Sequence, residues 1–118
     1  MFVQEPWLTE IIEGRKTVEG RAAPKDTFNK WIGQKVKVYD ADKSGEVTVS
    51  DVVHYDNLDD YLKVEWKKAA PHTSTAKAAK AAYEEIYYSD KKGEKVQAFS
   101  KERVEARGGI EAIHISKN

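Results

Sequence analysis

Between residues 14 and 21 the chain reads Gly-Arg-Lys-Thr-Val-Glu-Gly-Arg, which sets Lys16, Glu19 and Arg21 directly behind a short amphipathic stretch. An acid flanked by two bases, placed where one element hands over to the next, restricts what the chain can fold into. Such charges are costly to bury unless they are paired and hydrogen-bonded, so they either stay at the surface or build a site. Ahead of them, Pro6 suits the first turn of a helix. Trp7, Leu8, Ile11 and Ile12 recur at helical spacing, and Gly14 is a C′ stop. So short a helix is stabilised by packing its apolar face, not by propensity. Thr17 to Arg21 reads as a strand. Strict alternation places Thr17, Glu19 and Arg21 on one side and Lys16 with Val18 on the other. Spacing alone therefore unites all three charges only if Lys16 still lies in the turn or a bulge intervenes.

The remainder alternates strand and helix signals. Ala22 to Gly33 is a loop with Phe28, Trp31 and Ile32 as anchors. Lys35 to Asp40 and Glu46 to Tyr55 alternate with period two, the second with Val47 and Val49 inward. Asn57 caps a helix whose Leu58, Tyr61, Leu62, Val64 and Trp66 form an apolar stripe ending before Pro71. Thr73-Ser74-Thr75 opens an alanine-rich helix with Ala76, Ala79, Tyr83, Ile86 and Tyr87 on one face. Asp90 to Gly93 is a turn. Phe99, Ser100 and Val104 read as a hydrophobic staple around a serine cap, and the helix they open stops at Gly108-Gly109. Ile110 to Ser116 is the last strand, with Ile113 and Ile115 opposite Ala112 and His114.

A chain of 118 residues is one domain, 1–118, with one modest core. Lys+Arg and Asp+Glu number 20 each, so bulk attraction to nucleic acid is not expected and any such binding must come from a local patch. With no cysteine there is no disulfide framework, thiolate metal site or cysteine nucleophile. No apolar run approaches the roughly 18 to 20 residues that span a bilayer, and no signal-peptide pattern opens the chain. A soluble, cytoplasmic protein without membrane contact is the expectation.

Gly14, Lys16, Glu19 and Arg21 stand as G-x-K-x-x-E-x-R, which resembles the signature of the ASCH (activating signal cointegrator homology) domain family. Pro6-Trp7, Gly33-Gln34-Lys35-Val36 and Gly109-Ile110-Glu111-Ala112-Ile113 resemble the family's flanking features, so the likeness runs from Pro6 to Ile115. It implies an α+β fold, a small PUA-like β-barrel with helices packed around it. It also implies an RNA-binding module, or one for a nucleotide-like ligand, with Lys16, Glu19 and Arg21 in a single cleft beside the first helix. Gln34 stands where the family usually has Asp. Some relatives are hydrolases of N4-acylated cytidine or of RNA, and in that alternative Lys16 and Glu19 are the catalytic candidates. A protein-interaction module, with the cluster as a structural ion pair and a protein as partner, is the third reading.

Several residue types offer chemistry. Lys16 and Arg21 suit a phosphate or a carboxylate, Arg as a planar fork and Lys as a point charge. Glu19 suits an exocyclic amine or the task of holding Arg21. Trp7, Phe28 and Trp31 are flat faces near the cluster; aromatics dominate small cores, and unpaired bases also stack on them. Asp40 to Asp51 nearly spells a calcium loop, but position 12 is Asp51 in place of glutamate, and both flanks alternate as strands, so a β-hairpin loop is the reading. His54, His72 and His114 lack metal-ligand spacing and read as surface or strand-end residues. No metal or cofactor is expected. Lys77, Lys80, Lys91, Lys92 and Lys95 read as a solvated face and turn.

Overall fold

The computed structural model describes residues 1–118. Helix α1 (Trp7–Ile12) leads into strand β1 (Val18–Ala22), and a 3-10 turn (Asn29–Trp31) interrupts the loop that follows. Strands β2 (Lys35–Tyr39) and β3 (Ser44–Tyr55) precede helices α2 (Leu58–Ala69) and α3 (Ala76–Glu84). Strands β4 (Tyr87–Ser89) and β5 (Lys95–Gln97), helix α4 (Lys101–Arg107) and strand β6 (Ile110–Lys117) complete the chain.

Four strands form one antiparallel sheet in the order β1-β6-β3-β2, and β4 pairs only with β5. The class is α+β as expected. The sheet curls into half a barrel, with β1 and β2 left as edges. The final strand runs through the middle of this sheet between β1 and β3, and its Ile110, Glu111, Ala112, Ile113 and Ile115 are buried. Opposite it, β3 carries a bulge between Val49 and Asp51. The extra residue inverts the alternation. Val47 and Val49 therefore share a face with Val52 and His54, across from Ile115, Ile113 and Glu111, while Val53 and Tyr55 face the other way with Ala112 and Ile110.

Helix ends follow their capping residues. Asn57 accepts from the Asp60 N–H, Thr75 from Ala78 and Ser100 from Arg103. Gly14 at φ +82° and Gly108 at φ +89° take the left-handed conformation that closes α1 and α4. Asp40 to Lys43 is a hairpin turn: Asp40 Oδ1 accepts from the Asp42 and Lys43 N–H groups, and β2 pairs with β3 from Tyr39–Ser44 onward.

Four local details differ from the sequence reading. Val64 is 64% exposed and Ile32 41% exposed, so neither anchors the core. On α2 the inward stripe is Leu58, Tyr61, Leu62, Glu65 and Ala69, a polar residue taking the turn where an aliphatic one was expected. The third concerns Tyr87, which leaves the α3 face for the β4–β5 ribbon that wraps the Asp90–Gly93 turn. The histidines are not free surface groups either. His72 pairs with Glu10, His54 with Glu111 and His114 with Glu65, and all three glutamates are buried.

Helix α2 packs across β1 and β6, and α3 packs on α2. Tyr83 of α3 is the hub of this layer, with ring centroids of Trp7, Tyr61 and Phe99 at 5.2, 5.5 and 4.9 Å. Tyr61 lies so close to β1 that a Cβ added at Gly20 would stand 2.6 Å from its hydroxyl oxygen and 2.7 Å from its Cζ. The buried tyrosine thus requires glycine at this position. Gly20→Ala is expected to destabilise the protein by about 1–3 kcal/mol, read from the urea unfolding midpoint. An unchanged midpoint would show that Tyr61 yields freely.

Candidate functional site

Lys16 precedes β1, in the turn that closes α1, where its N–H donates to Glu10 O. Strand alternation does not govern it there, which removes the spacing objection to the cluster. The side chain is wholly buried. Its ammonium donates to Val18 O at 2.6 Å and Ala69 O at 2.5 Å, and lies 3.4 Å from Glu19 Oε1. It also stands 5.0 Å from the Trp7 ring centroid. Ala69 is the last residue of α2, and the Lys68 carbonyl beside it accepts from Thr17 N–H. Two orphan carbonyls at the negative end of α2 are thus satisfied by the turn ahead of β1, one of them by a cation. Burial pushes the Lys16 ammonium below its ordinary value, and the facing Glu19 carboxylate opposes that shift.

Glu19 passes the interaction on. Its Oε2 accepts from Arg21 Nη2 at 2.8 Å, and the same nitrogen donates to Phe2 O. The three charges expected to converge do so, in the order Lys16–Glu19–Arg21. Exposure rises along the series, with side chains 0%, 11% and 33% exposed. Two buried polar atoms nearby have no hydrogen-bond partner, Arg21 Nε and Glu111 Oε1. They belong to residues directly opposite each other on β1 and β6.

A cavity of about 370 Å³ opens along the free edge of β1. Glu19, Gly20, Arg21 and Ala22 form one wall, and residues 2–4 with Trp7 border it. Ile86, Tyr88, Phe99, Arg103 and Arg107 line the rest of it. Ile115 N–H donates to Thr17 O and Ala23 N–H to Gly109 O, so the intervening Val18, Gly20 and Ala22 turn their backbone groups outward from β6. Val18 O is taken by Lys16 and Ala22 O by Arg107. Gly20 presents its amide edge to the cavity.

Of the predicted site residues, Glu19, Arg21 and Trp7 line the cavity. Lys16 sits behind Glu19, and Trp31 lies outside the lining, packed at 4.9 Å on Phe28, which does line it. Sequence reasoning missed Tyr88, Arg103 and Arg107. The signal for the arginines was present: Arg103 and Arg107 stand one helical turn apart on α4, on a common face.

A half-barrel antiparallel sheet with helices across one face, and a charged cleft along its edge strand, defines a small α+β domain of a recurrent type. Residues 1–115 match the ASCH domain, and the chain belongs to that family. Among solved structures, the hypothetical protein PH0355 matches with a TM-score of 0.69 at 21% identity, covering 100% of this chain and 96% of its own. Protein PF0455 from Pyrococcus furiosus matches with a TM-score of 0.64 at 19% identity, over 99% and 94%. At such identities the likeness concerns the fold. No curated protein matches the chain.

Two outcomes test this geometry. Lys16→Met leaves two buried carbonyls and part of the Glu19 charge uncompensated, and is expected to cost about 3 kcal/mol in urea unfolding. A loss below about 1 kcal/mol would place the ammonium elsewhere. The second concerns alkaline pH. Burial raises the Tyr61 and Tyr83 phenols above their ordinary 10.0. Above pH 10 the unfolded chain then loses those protons before the folded one does, and stability falls as pH rises. Lys16, shifted the opposite way, adds stability with rising pH only up to its ordinary 10.5. Between pH 10.5 and 12, Tyr61→Phe should therefore show a shallower fall than the parent protein. Equal slopes would contradict the burial of that phenol in the folded state.

Proposed function

We propose that the cavity beside β1 binds RNA or a nucleotide-like ligand, with Arg21 and the Gly20 amide edge as its recognition groups. One observation carries the reading. Arg21 is held at the cavity wall, a third exposed, by a glutamate that a fully buried lysine neutralises from behind. A cation fixed in this way gives up little freedom when an anion or a base edge meets it. Phe28, only partly buried, adds a flat face to the same space, which suits an unpaired base, while Trp7 is buried beneath it with the Lys16 ammonium over its ring. The common association of ASCH domains with RNA agrees with this assignment.

The Lys16 ammonium has three N–H groups. Val18 O and Ala69 O take two, and Glu19 stands in reach of the third. That arrangement supports Lys16 as the residue that positions Glu19, and so favours binding over hydrolysis of N4-acylated cytidine.

Titration with a fluorescent single-stranded oligoribonucleotide tests the proposal. The logarithm of the binding constant should fall with the logarithm of salt by about 0.7 per phosphate engaged. Arg21→Gln should weaken binding roughly tenfold, since a charge-assisted contact is lost. Identical affinity for the parent and the Arg21 variant would remove this site from the interaction.

A further inference from the structure

Arg103 and Arg107 of α4 line the same cavity as Arg21, and their surroundings differ from its own in one respect. Arg21 has Glu19, but no carboxylate lies within salt-bridge distance of Arg103 or Arg107. Each is instead oriented by uncharged acceptors. Arg103 Nη1 donates to Ala98 O at 2.9 Å and its Nε to the Tyr88 hydroxyl at 2.9 Å, with the guanidinium carbon 4.8 Å from the Tyr88 ring centroid. Arg107 Nε donates to Ala22 O at 3.2 Å, on the β1 residue that follows Arg21. A guanidinium has five N–H donors, so each group keeps unspent donors after these contacts.

Two cations one helical turn apart, with no counter-charge, repel each other. In a chain of zero formal charge, the lining nonetheless gathers three arginines against one glutamate. That imbalance is relieved by an anion. The oriented forks match the tetrahedral oxygens of a phosphate, and their planar donors favour it over a monatomic ion.

Given a nucleotide in the cavity, we propose that Arg103 and Arg107 hold its phosphate, while the base lies toward Gly20 and Arg21. Tyr88 takes part as the residue that orients Arg103. A terminal monophosphate, with its second negative charge, answers two uncompensated guanidinium groups better than an internal phosphodiester. The site thus prefers a free nucleotide or a phosphorylated RNA end.

Calorimetric titration with three probes tests this: the common nucleosides, their 5′-monophosphates, and a short single-stranded RNA lacking terminal phosphate. The monophosphates are expected to bind roughly tenfold or more tightly than the nucleosides. Arg107→Gln should abolish that advantage and leave nucleoside affinity unchanged. Arg107 is exposed, so the substitution leaves folding intact. Arg103→Lys, which keeps charge but not the fork, should lose part of the advantage. Equal affinity for nucleosides and monophosphates, or monophosphate binding untouched in both variants, overturns the phosphate site while the cavity assignment stands. RNA bound more tightly than every monophosphate overturns the preference for a terminal phosphate. Failure of all three probes to bind overturns the phosphate site and the cavity assignment together.

Discussion

The buried ammonium of Lys16 is the contact on which the rest of this structure depends. It joins three elements that the chain otherwise keeps apart: the turn behind α1, the edge strand β1 and the C-terminal end of α2. An unpaired ammonium at such depth would be strongly unfavourable. The carbonyls it satisfies would themselves be orphans without it, and the carboxylate it faces would lack its inner partner. These costs are cancelled jointly, so removing one partner leaves the others with their full desolvation penalty. Hydrophobic burial supplies the bulk driving force. The ion contact decides which geometry that burial adopts at the edge of the sheet.

From this fixed point the candidate site follows by short steps. Glu19 is held on one side by Lys16 and extends its other oxygen to Arg21. Arg21 in turn grips Phe2 O, so the N-terminal segment becomes a border of the cavity. Because β1 is an edge strand, the backbone of Gly20 is left to face the opening, and Tyr61 behind it admits no side chain there. The rest of the lining has its own origin. Helix α4 follows Phe99 of the aromatic hub, and it contributes arginines without partner carboxylates. The β1 arginine is therefore paired to a carboxylate, and those of α4 are not.

Much of this architecture is legible in the residues. Asn57, Thr75 and Ser100 mark the helix starts because their side chains accept the orphan N–H groups, and Gly14 and Gly108 mark ends because a left-handed residue is needed there. Period-two alternation outweighs the calcium-like spelling of Asp40 to Asp51, since turn chemistry and calcium ligation use the same residue types and only the flanks separate them. Less legible are features that depend on distant partners. Nothing near Lys16 in sequence says that its ammonium is spent on Ala69 O, which is 53 residues away. Glu65 on the inner face of α2 makes sense only beside His114 and Tyr55. The bulge after Val49 shows only in its pairing with Ile115 and His114. Short ribbons such as β4–β5 carry too few residues for periodicity to register.

A double-mutant cycle between Lys16→Met and Glu19→Gln, read by equilibrium unfolding, measures whether the buried lysine and the glutamate form one unit. Removing the charge from Glu19 should lessen the harm done by losing the ammonium. The double variant is expected to be more stable than the sum of the single losses implies, by about 1 kcal/mol or more. Losses that add to within about 0.5 kcal/mol would show two independent groups, and would contradict the view that Lys16 holds Glu19, and through it Arg21, at the cavity.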